Sequence, residues 1–171
     1  MTYTCTFSSP LGEILLASDG ENLTGLWFYN QKYFAANLSK TPTEKSLPVF
    51  SCAIKWLDIY FSGKCPGFTL PLSLSGSEFQ KAVWQELLSI PYGKLTTYGT
   101  IAKKIAAKTG KNVSAQAVGG AVGKNPVSII IPCHRVIGAS GSLTGYAGGI
   151  DKKASLLKLE GSYSESFTSP R

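Results

Sequence analysis

The chain has 171 residues, 43% of them hydrophobic, so it can bury a core as one ordinary domain or two small ones. No apolar run approaches the length that crosses a bilayer, and the N-terminal residues lack the basic head and apolar centre of a signal peptide. We therefore expect a cytoplasmic protein with no membrane partner, whose four cysteines are reduced. Because no C-x-x-C pair occurs and only one histidine is present, the sequence predicts no metal site.

The net charge of +7 is unevenly distributed along the chain. Residues 1–75 carry five lysines and five acidic residues, so the whole positive excess lies in residues 76–171. Lysines cluster there at Lys103, Lys104, Lys108, Lys111 and Lys124. Such asymmetry suggests a polyanionic partner, most simply nucleic acid, although a solvated lysine-rich helix face would look the same.

The first segment, residues 1–75, predicts a small unit of strands and one helix. Short β-like runs separated by turn residues lie at 4–7, 12–17 and 23–29. From residue 47 to residue 61 the apolar spacing becomes helical, with Pro48 in the first turn and Gly63 beyond the end. Residues from about 62 to 75 are rich in Gly, Pro and Ser and form a candidate linker. No catalytic constellation occurs here, so we assign this segment a scaffolding role.

The second segment predicts helices. Ser77 and Gln80 match a capping box, which opens a helix that stops at the Pro91-Tyr92-Gly93 turn. Two shorter helices at 97–108 and 115–123 follow, the first ending before Gly110 and the second capped by Ser114, and a last helix capped by Asp151 ends at Glu160-Gly161. The two short helices, joined by a tight turn within a basic region, suggest a helix-turn-helix.

The second of these short helices contains Gly119 and Gly120, which together cost on the order of 2 kcal/mol of helix propensity relative to alanine. A helix tolerates this cost where something approaches its backbone closely. That neighbour can be a ligand or another helix, and the sequence does not decide between them.

The only histidine of the chain, His134, directly follows Cys133, at the end of an apolar run and a proline. Cationic or hydrogen-bonding neighbours turn a thiol into a usable thiolate, so we interpret Cys133 as a nucleophile. The alternative is a small hydrophobic residue at a strand end. The glycine-rich stretch 138–149 predicts a pocket wall. It contains no dinucleotide or Walker motif, so we expect no cofactor.

The run Pro132-Cys133-His134-Arg135-Val136 resembles the active-site signature of the 6-O-alkylguanine-DNA alkyltransferases, the methylated-DNA–protein-cysteine methyltransferase family. Further matches between about Phe79 and Gly161 are Tyr98 after a Pro-x-Gly turn, Ala117-Val118-Gly119-Gly120-Ala121, Asn125-Pro126, Tyr146 with Gly148-Gly149, and Leu159-Glu160-Gly161. The first segment is similar to that family's variable N-terminal domain in size and layout only.

The resemblance implies an α+β fold in three parts. A small N-terminal ribonuclease-H-like α/β domain would cover residues 1–75, including the linker. A mainly helical domain with a winged-helix-like helix-turn-helix would cover residues 76–161 and carry DNA binding and alkyl transfer. Residues 162–171 are polar and predict a flexible tail.

The resemblance also implies the activity. The substrate would be double-stranded DNA carrying 6-O-alkylguanine, with 4-O-alkylthymine as a further candidate, and the damaged nucleotide would be flipped into a pocket. A monomer would transfer the alkyl group irreversibly to Cys133. Because a thioether does not hydrolyse, each molecule would act once, without a cofactor or a metal.

Roles are carried over residue by residue. Cys133 would be the nucleophile and His134 a base acting through a water, oriented by Glu160; Asn125 would fix the active-site turn, and Tyr98 would donate a hydrogen bond to the leaving guanine. The residues expected to bind DNA or line the base pocket are Ser114, Gln116, Ala117, Gly119, Gly120, Arg135, Tyr146, Ala147 and Gly148. Gln116 stands where many relatives have an arginine that enters the base stack, so we expect weaker invasion of the duplex here.

Two other classes remain open at this stage. A Cys–His peptidase or thioesterase would use the same pair of side chains, but nothing in the sequence indicates an oxyanion site. A DNA-binding regulator, or a relative that binds lesions without catalysis, would explain the basic helices but not a cysteine beside the only histidine.

Overall fold

The computed structural model describes residues 1–169, and the chain divides into two compact units. Unit 1 comprises Met1–Ser75 and Pro126–Ser128; unit 2 comprises Gly76–Asn125 and the chain from Ile129 onward. The predicted α+β class is confirmed. The strands are β1 (Tyr3–Ser9), β2 (Gly12–Ser18), β3 (Leu23–Phe28), β4 (Thr43–Glu44), β5 (Thr96–Thr97) and β6 (Val136–Ile137). The helices are α1 (Pro48–Phe61), α2 (Glu78–Leu88), α3 (Tyr98–Thr109), α4 (Ala115–Gly123) and α5 (Ile150–Glu160), with a short 3-10 helix over Cys133–Arg135.

Unit 1 is built on a four-stranded sheet in the order β3-β2-β1-β4. The β1–β2 and β2–β3 pairs are antiparallel hairpins joined by the turns that the sequence predicts, and β4 pairs with β1 in parallel. Helix α1 packs on this sheet through a face of apolar residues spaced at helical intervals. That face consists of Val49, Phe50, Ala53, Trp56, Leu57 and Tyr60.

The outer edge of β3 is covered by two other chain segments of unit 1. Leu23 donates a backbone hydrogen bond to Pro71 over 2.8 Å and accepts one from Ser73 over 3.1 Å. Leu26 likewise donates to Pro126 and accepts from Ser128. The second half of the candidate linker is therefore an added edge segment of the sheet, which satisfies backbone groups that an open edge would expose.

Unit 2 begins with the predicted capping box. The Ser77 hydroxyl accepts a hydrogen bond from Gln80 N, and the Gln80 side chain accepts one from Ser77 N. Helix α3 ends at Gly110, whose φ of 71° is the left-handed conformation that glycine adopts without strain. Helix α4 begins at the predicted cap, because the Ser114 hydroxyl accepts a hydrogen bond from Ala117 N.

Helices α2, α3 and α4 pack on one another and form the helical core of unit 2. The indole of Trp84 on α2 is buried and donates a hydrogen bond to the carbonyl of Ala121 on α4 over 2.9 Å. Along the residues that the structure describes, no helix combines the length and the apolar character needed to cross a membrane.

One local prediction differs from the structure. Asp151 does not cap α5: the N-cap is Gly149, without a side-chain hydrogen bond, and Asp151 lies in the first turn, where its charge still favours the helix dipole. The alternative that places Cys133 at a strand end also differs from the structure, because the apolar run that leads to Cys133 forms turns and Ile129 has a φ of 70°.

The segment predicted as a flexible tail carries backbone hydrogen bonds up to Thr168. Thr168 N donates to Gly141, and Leu143 N donates to Thr168. The last two residues, Pro170 and Arg171, lie outside the described part of the chain.

Candidate active site

A strained turn sets the position of Cys133. Ile129 holds a positive φ that β-branched residues rarely adopt, and Pro132, with φ −80° and ψ 64°, closes a three-residue turn in which Cys133 N donates to Ile131 O over 2.8 Å. The 3-10 helix Cys133–Arg135 starts at that point. The apolar run therefore serves to aim the thiol rather than to extend a sheet.

The Cys133 side chain is 4% exposed, and its burial raises the pKa of the thiol above its usual value. Opposing influences come from a hydrogen bond with the Asn125 side chain, the positive charge of Lys153, and the backbone N–H groups of Cys133 and His134. Asn125 also donates through Nδ2 to Ile131 O over 2.8 Å, so this residue holds both the turn and the thiol. In the resting protein the Cys133 thiol is therefore neutral, and the groups around it can stabilise the thiolate when it forms.

His134 and Glu160 form a fully buried pair, with Nε2 and Oε2 2.5 Å apart and both side chains at 0% exposure. Burial lowers the pKa of His134 despite the opposing effect of the carboxylate, so the resting imidazole is neutral. When Nε2 donates its proton to Glu160, Nδ1 is the basic nitrogen of the ring. Glu160 therefore fixes the orientation of the His134 ring, and the imidazole next to Cys133 in sequence can act as a base.

The carboxylate of Glu160 is held from a second side by Arg135. The guanidinium donates to Oε1 over 2.7 Å and to Oε2 over 3.2 Å, and its Nη1 donates to Ile90 O. Gly93 N adds a weaker contact to Oε1. Glu160 is the last residue of α5, where a negative charge is electrostatically unfavourable because it faces the negative end of the helix dipole. The positive charge of Arg135 offsets this unfavourable energy. The sequence predicts that Arg135 contacts DNA or the base pocket. In the structure Arg135 is 8% exposed, and its guanidinium is bound to Glu160 and Ile90 of the protein itself.

A second buried cation, Lys153, is absent from the residues that the sequence singled out. Its side chain has 0% exposure, and Nζ donates to Val136 O over 2.5 Å and to Thr144 O over 2.8 Å. Burial lowers its pKa to about 8, while Cys133 opposes that shift. One signal could have found it: Lys153, Leu156, Leu157 and Glu160 share the buried face of α5 at spacings of three and four residues.

Tyr98, at the start of α3, is buried and donates its hydroxyl to Thr144 O over 2.6 Å. Burial raises the pKa of this phenol, so it stays protonated at neutral pH. Gly145, with a φ of 84°, passes directly over it: a Cβ there would lie 2.4 Å from the Tyr98 hydroxyl. A side chain at position 145 is therefore incompatible with this placement of Tyr98.

Tyr146 and Gly148 form another close pair in the same loop. The Tyr146 ring meets His134 edge-on at 6.5 Å between centroids, and a Cβ on Gly148 would lie 2.6 Å from Tyr146 Cε2. The glycine is thus what allows the tyrosine to lie beside the histidine. Ala147 lies between them and is partly exposed.

The first turn of α4 presents a largely exposed surface, on which Ser114, Ala115, Gln116 and Ala117 are all exposed. A Cβ on Gly119 would be 3.8 Å from the Tyr98 ring, which is ordinary contact, and one on Gly120 would meet nothing within 4 Å. Close helix packing therefore does not explain Gly120. Exposure of the backbone to a partner stays a prediction.

Two family models together match nearly the whole chain. The DNA-binding domain of 6-O-methylguanine DNA methyltransferase matches residues 78–162, and the ribonuclease-like domain of the same enzyme matches residues 1–74. The chain belongs to this family. Its activity is that of a methylated-DNA–protein-cysteine methyltransferase: DNA repair by transfer of an alkyl group to a cysteine of the protein itself.

Individual relatives agree with this assignment over nearly their full length. The methylated-DNA–protein-cysteine methyltransferase of Mycobacterium leprae is 44% identical over 94% of this chain and 93% of its own. That of Methanosarcina acetivorans is 47% identical over 94% and 99%. The crystal structure of Mycobacterium tuberculosis OGT in complex with DNA is 45% identical, covers 92% of each chain and has a TM-score of 0.82.

Proposed function

We propose that Cys133 is the cysteine that accepts the alkyl group, and that the substrate is double-stranded DNA carrying 6-O-alkylguanine. The observation that carries the proposal is the buried pair of a neutral His134 imidazole and the Glu160 carboxylate, which directly follows the buried thiol of Cys133 along the chain. The binding of DNA by the M. tuberculosis relative supports the choice of partner. We also propose that 4-O-alkylthymine is a second substrate.

The transfer is a single displacement. Cys133 loses its proton to His134 through a water, and its sulfur then forms a bond to the alkyl carbon while the bond from that carbon to the guanine oxygen breaks. The electron pair stays on the guanine, which takes up a proton from water, and the imidazolium of His134 returns the thiol proton to water. Glu160 stabilises the imidazolium that forms, and Asn125 holds the turn that aims the sulfur. Because the product is a thioether, the protein acts once.

Tyr98 serves as a hydrogen-bond donor to the leaving guanine. Its raised pKa makes it a poor proton source but a stable donor. To donate to the guanine, the Tyr98 hydroxyl breaks its hydrogen bond with Thr144 O and forms one with an acceptor atom of the base. Lys153 remains on the same carbonyl, and its positive charge favours the thiolate form of Cys133 while the sulfur attacks.

The exposed first turn of α4 binds the DNA, with Ser114, Ala117 and Gly119 against the backbone and Gln116 filling the space that the flipped base leaves. Gly120 leaves room there for a close approach. Tyr146, Ala147 and Gly148 line the base pocket. Arg135 acts on the site indirectly, by orienting Glu160. The protein works as a cytoplasmic monomer.

The proposal is tested by the intact mass of the protein after incubation with an oligonucleotide duplex that contains 6-O-methylguanine. We expect a gain of one methyl group per molecule, located on Cys133 by peptide mapping, and no gain for Cys133→Ser. An adduct elsewhere, or more than one methyl transferred per protein, refutes it. Hydrolysis of an acyl thioester with turnover would point instead to a thioesterase.

A further inference from the structure

The last described residues, 163–169, are here called the C-terminal tail. They follow the end of the match to the DNA-binding domain at residue 162. Two backbone hydrogen bonds join the tail to the glycine-rich loop: Leu143 N donates to Thr168 O over 2.8 Å, and Thr168 N donates to Gly141 O over 3.0 Å. Together they form a parallel bridge between Ser142 and Thr168.

Side chains anchor the tail at both ends. Tyr163 lies under the ammonium of Lys158 on α5 at 4.6 Å and meets the Phe167 ring edge-on at 5.6 Å between centroids. Phe167 in turn lies against Gly141, where a Cβ would be 3.6 Å from its Cδ1 atom. The tail therefore links α5 to the loop through an aromatic pair and a bridge.

The segment that the tail holds leads directly into the site. Leu143 is buried at 3% exposure, and the next carbonyl, that of Thr144, accepts hydrogen bonds from both Tyr98 and Lys153. Gly138 N also donates to Ser142 O, so the loop closes on itself at the point where the tail attaches. Movement of residues 141–143 therefore moves the acceptor on which two site residues depend.

We propose that the C-terminal tail is a brace for the base pocket, with Phe167 as its positioning residue. The tail touches no reacting atom. It holds residues 141–143 so that Thr144 O stays in place for Tyr98 and Lys153, and so that Tyr146 keeps its edge-on contact with His134. The inference rests on the proposed function, since the reaction that it supports is transfer to Cys133.

The test measures single-turnover methyl transfer from a 6-O-methylguanine duplex over a range of duplex concentrations. The variants are a chain that ends at Ser162, Phe167→Ala and the conservative Phe167→Leu, with Ser169→Ala as a matched exposed control in the same segment. Melting temperature is recorded for each. The full-length chain must first transfer one methyl group to Cys133; if it does not, the proposed function fails, independently of the tail.

For the shortened chain and Phe167→Ala we expect the rate constant at saturating duplex to fall about tenfold, because small displacements of a positioned group are costly. The duplex concentration for half-maximal rate stays unchanged, since the α4 surface is not altered. Phe167→Leu restores most of the rate, and Ser169→Ala equals the parent. Unchanged rates in the shortened chain overturn the brace. A faster reaction overturns it too, in favour of a tail that obstructs the pocket.

Discussion

Tyr98 and Lys153 donate hydrogen bonds to the same acceptor, the carbonyl oxygen of Thr144. One residue starts α3 and the other lies in the second turn of α5, so a single loop carbonyl joins two helices at the site. Because Lys153 also donates to Val136 O, it links this loop to the end of the 3-10 helix that carries Cys133. Loss of either donor is expected to change the position of the loop.

Lys153→Met keeps the apolar stem of the side chain but removes its charge. We expect methyl transfer at pH 7 to slow about tenfold, because a cation that favours the thiolate is lost. Lys152→Met, on the next residue of α5 but partly exposed, is the control and should react as the parent does. A rate within twofold of the parent for Lys153→Met would remove Lys153 from the reaction.

The same variant carries a pH signature in stability. The folded-state pKa of Lys153 is about 8, below the ordinary 10.5, so the unfolded chain binds more protons between these values. The contribution of Lys153 to stability is therefore fully present above about pH 10.5 and is lost as the pH falls to 8. We would measure the free energy of unfolding in urea at pH 7 and at pH 10. From pH 7 to pH 10, the unfolding free energy of the parent should rise relative to that of Lys153→Met by on the order of 1–3 kcal/mol. An equal difference at both values would contradict the shift.

Glu160→Gln preserves the shape of the side chain but not its charge. We expect methyl transfer to fall on the order of 100-fold, since the imidazolium loses its stabilising partner. We also expect a loss of about 3 kcal/mol in unfolding free energy, because Arg135 would remain buried without a counter-charge. Glu165→Gln, the same change at an exposed position, controls for net charge. Normal transfer by Glu160→Gln would show that the carboxylate does not assist His134.

Gly145→Ala places a methyl group where the Tyr98 hydroxyl lies and forces a positive φ on alanine. We expect about a tenfold slower transfer and a stability loss on the order of 1–2 kcal/mol. Gly67→Ala, where a Cβ meets nothing within 4 Å and φ is not positive, is the matched control. The idea fails if transfer by Gly145→Ala keeps the parental rate while the parental melting temperature is also retained.

Gln116→Arg introduces the arginine that the family resemblance implies at this point of α4. We expect tighter binding to duplex DNA, with the slope of log affinity against log salt steeper by about one. Gln85→Arg adds the same charge at an exposed position of α2 and separates a local effect from a general one. Equal gains in affinity for the two variants would place Gln116 away from the base stack.

The elements with strong local signals could be predicted from the sequence. The capping box at Ser77, the glycine end of α3 at Gly110 and the cap of α4 at Ser114 are all present, since each depends on residues within one turn of the chain. The prediction that Asp151 caps α5 is wrong, because the N-cap is Gly149, whose backbone conformation could not be predicted from the sequence pattern.

The site itself divides in the same way. Cys133 and His134 are neighbours in sequence, so the sequence alone could single out both residues, whereas the link from His134 to Glu160 depended on the family resemblance. The task of Arg135 could not be predicted, because its partners Ile90 and Glu160 lie 45 and 25 residues away. The sequence analysis does not single out Lys153, because a lysine in a helix is ordinarily exposed to solvent. Its place in the site becomes evident only from the burial of the face of α5 on which it lies.

Glu160 is the last residue of α5, and the helix ends at Gly161, whose N–H bonds back to Leu157 and Lys158. Terminal turns with few buried contacts open at a low free energy, but this turn holds the buried carboxylate of Glu160 against His134 and Arg135. Opening of the turn would break both contacts, so it costs more free energy than the fraying of an exposed helix end. Repair capacity is therefore expected to be lost together with the folded signal as denaturant rises, which makes global stability, rather than the order of one helix end, the quantity that limits the working range of the protein.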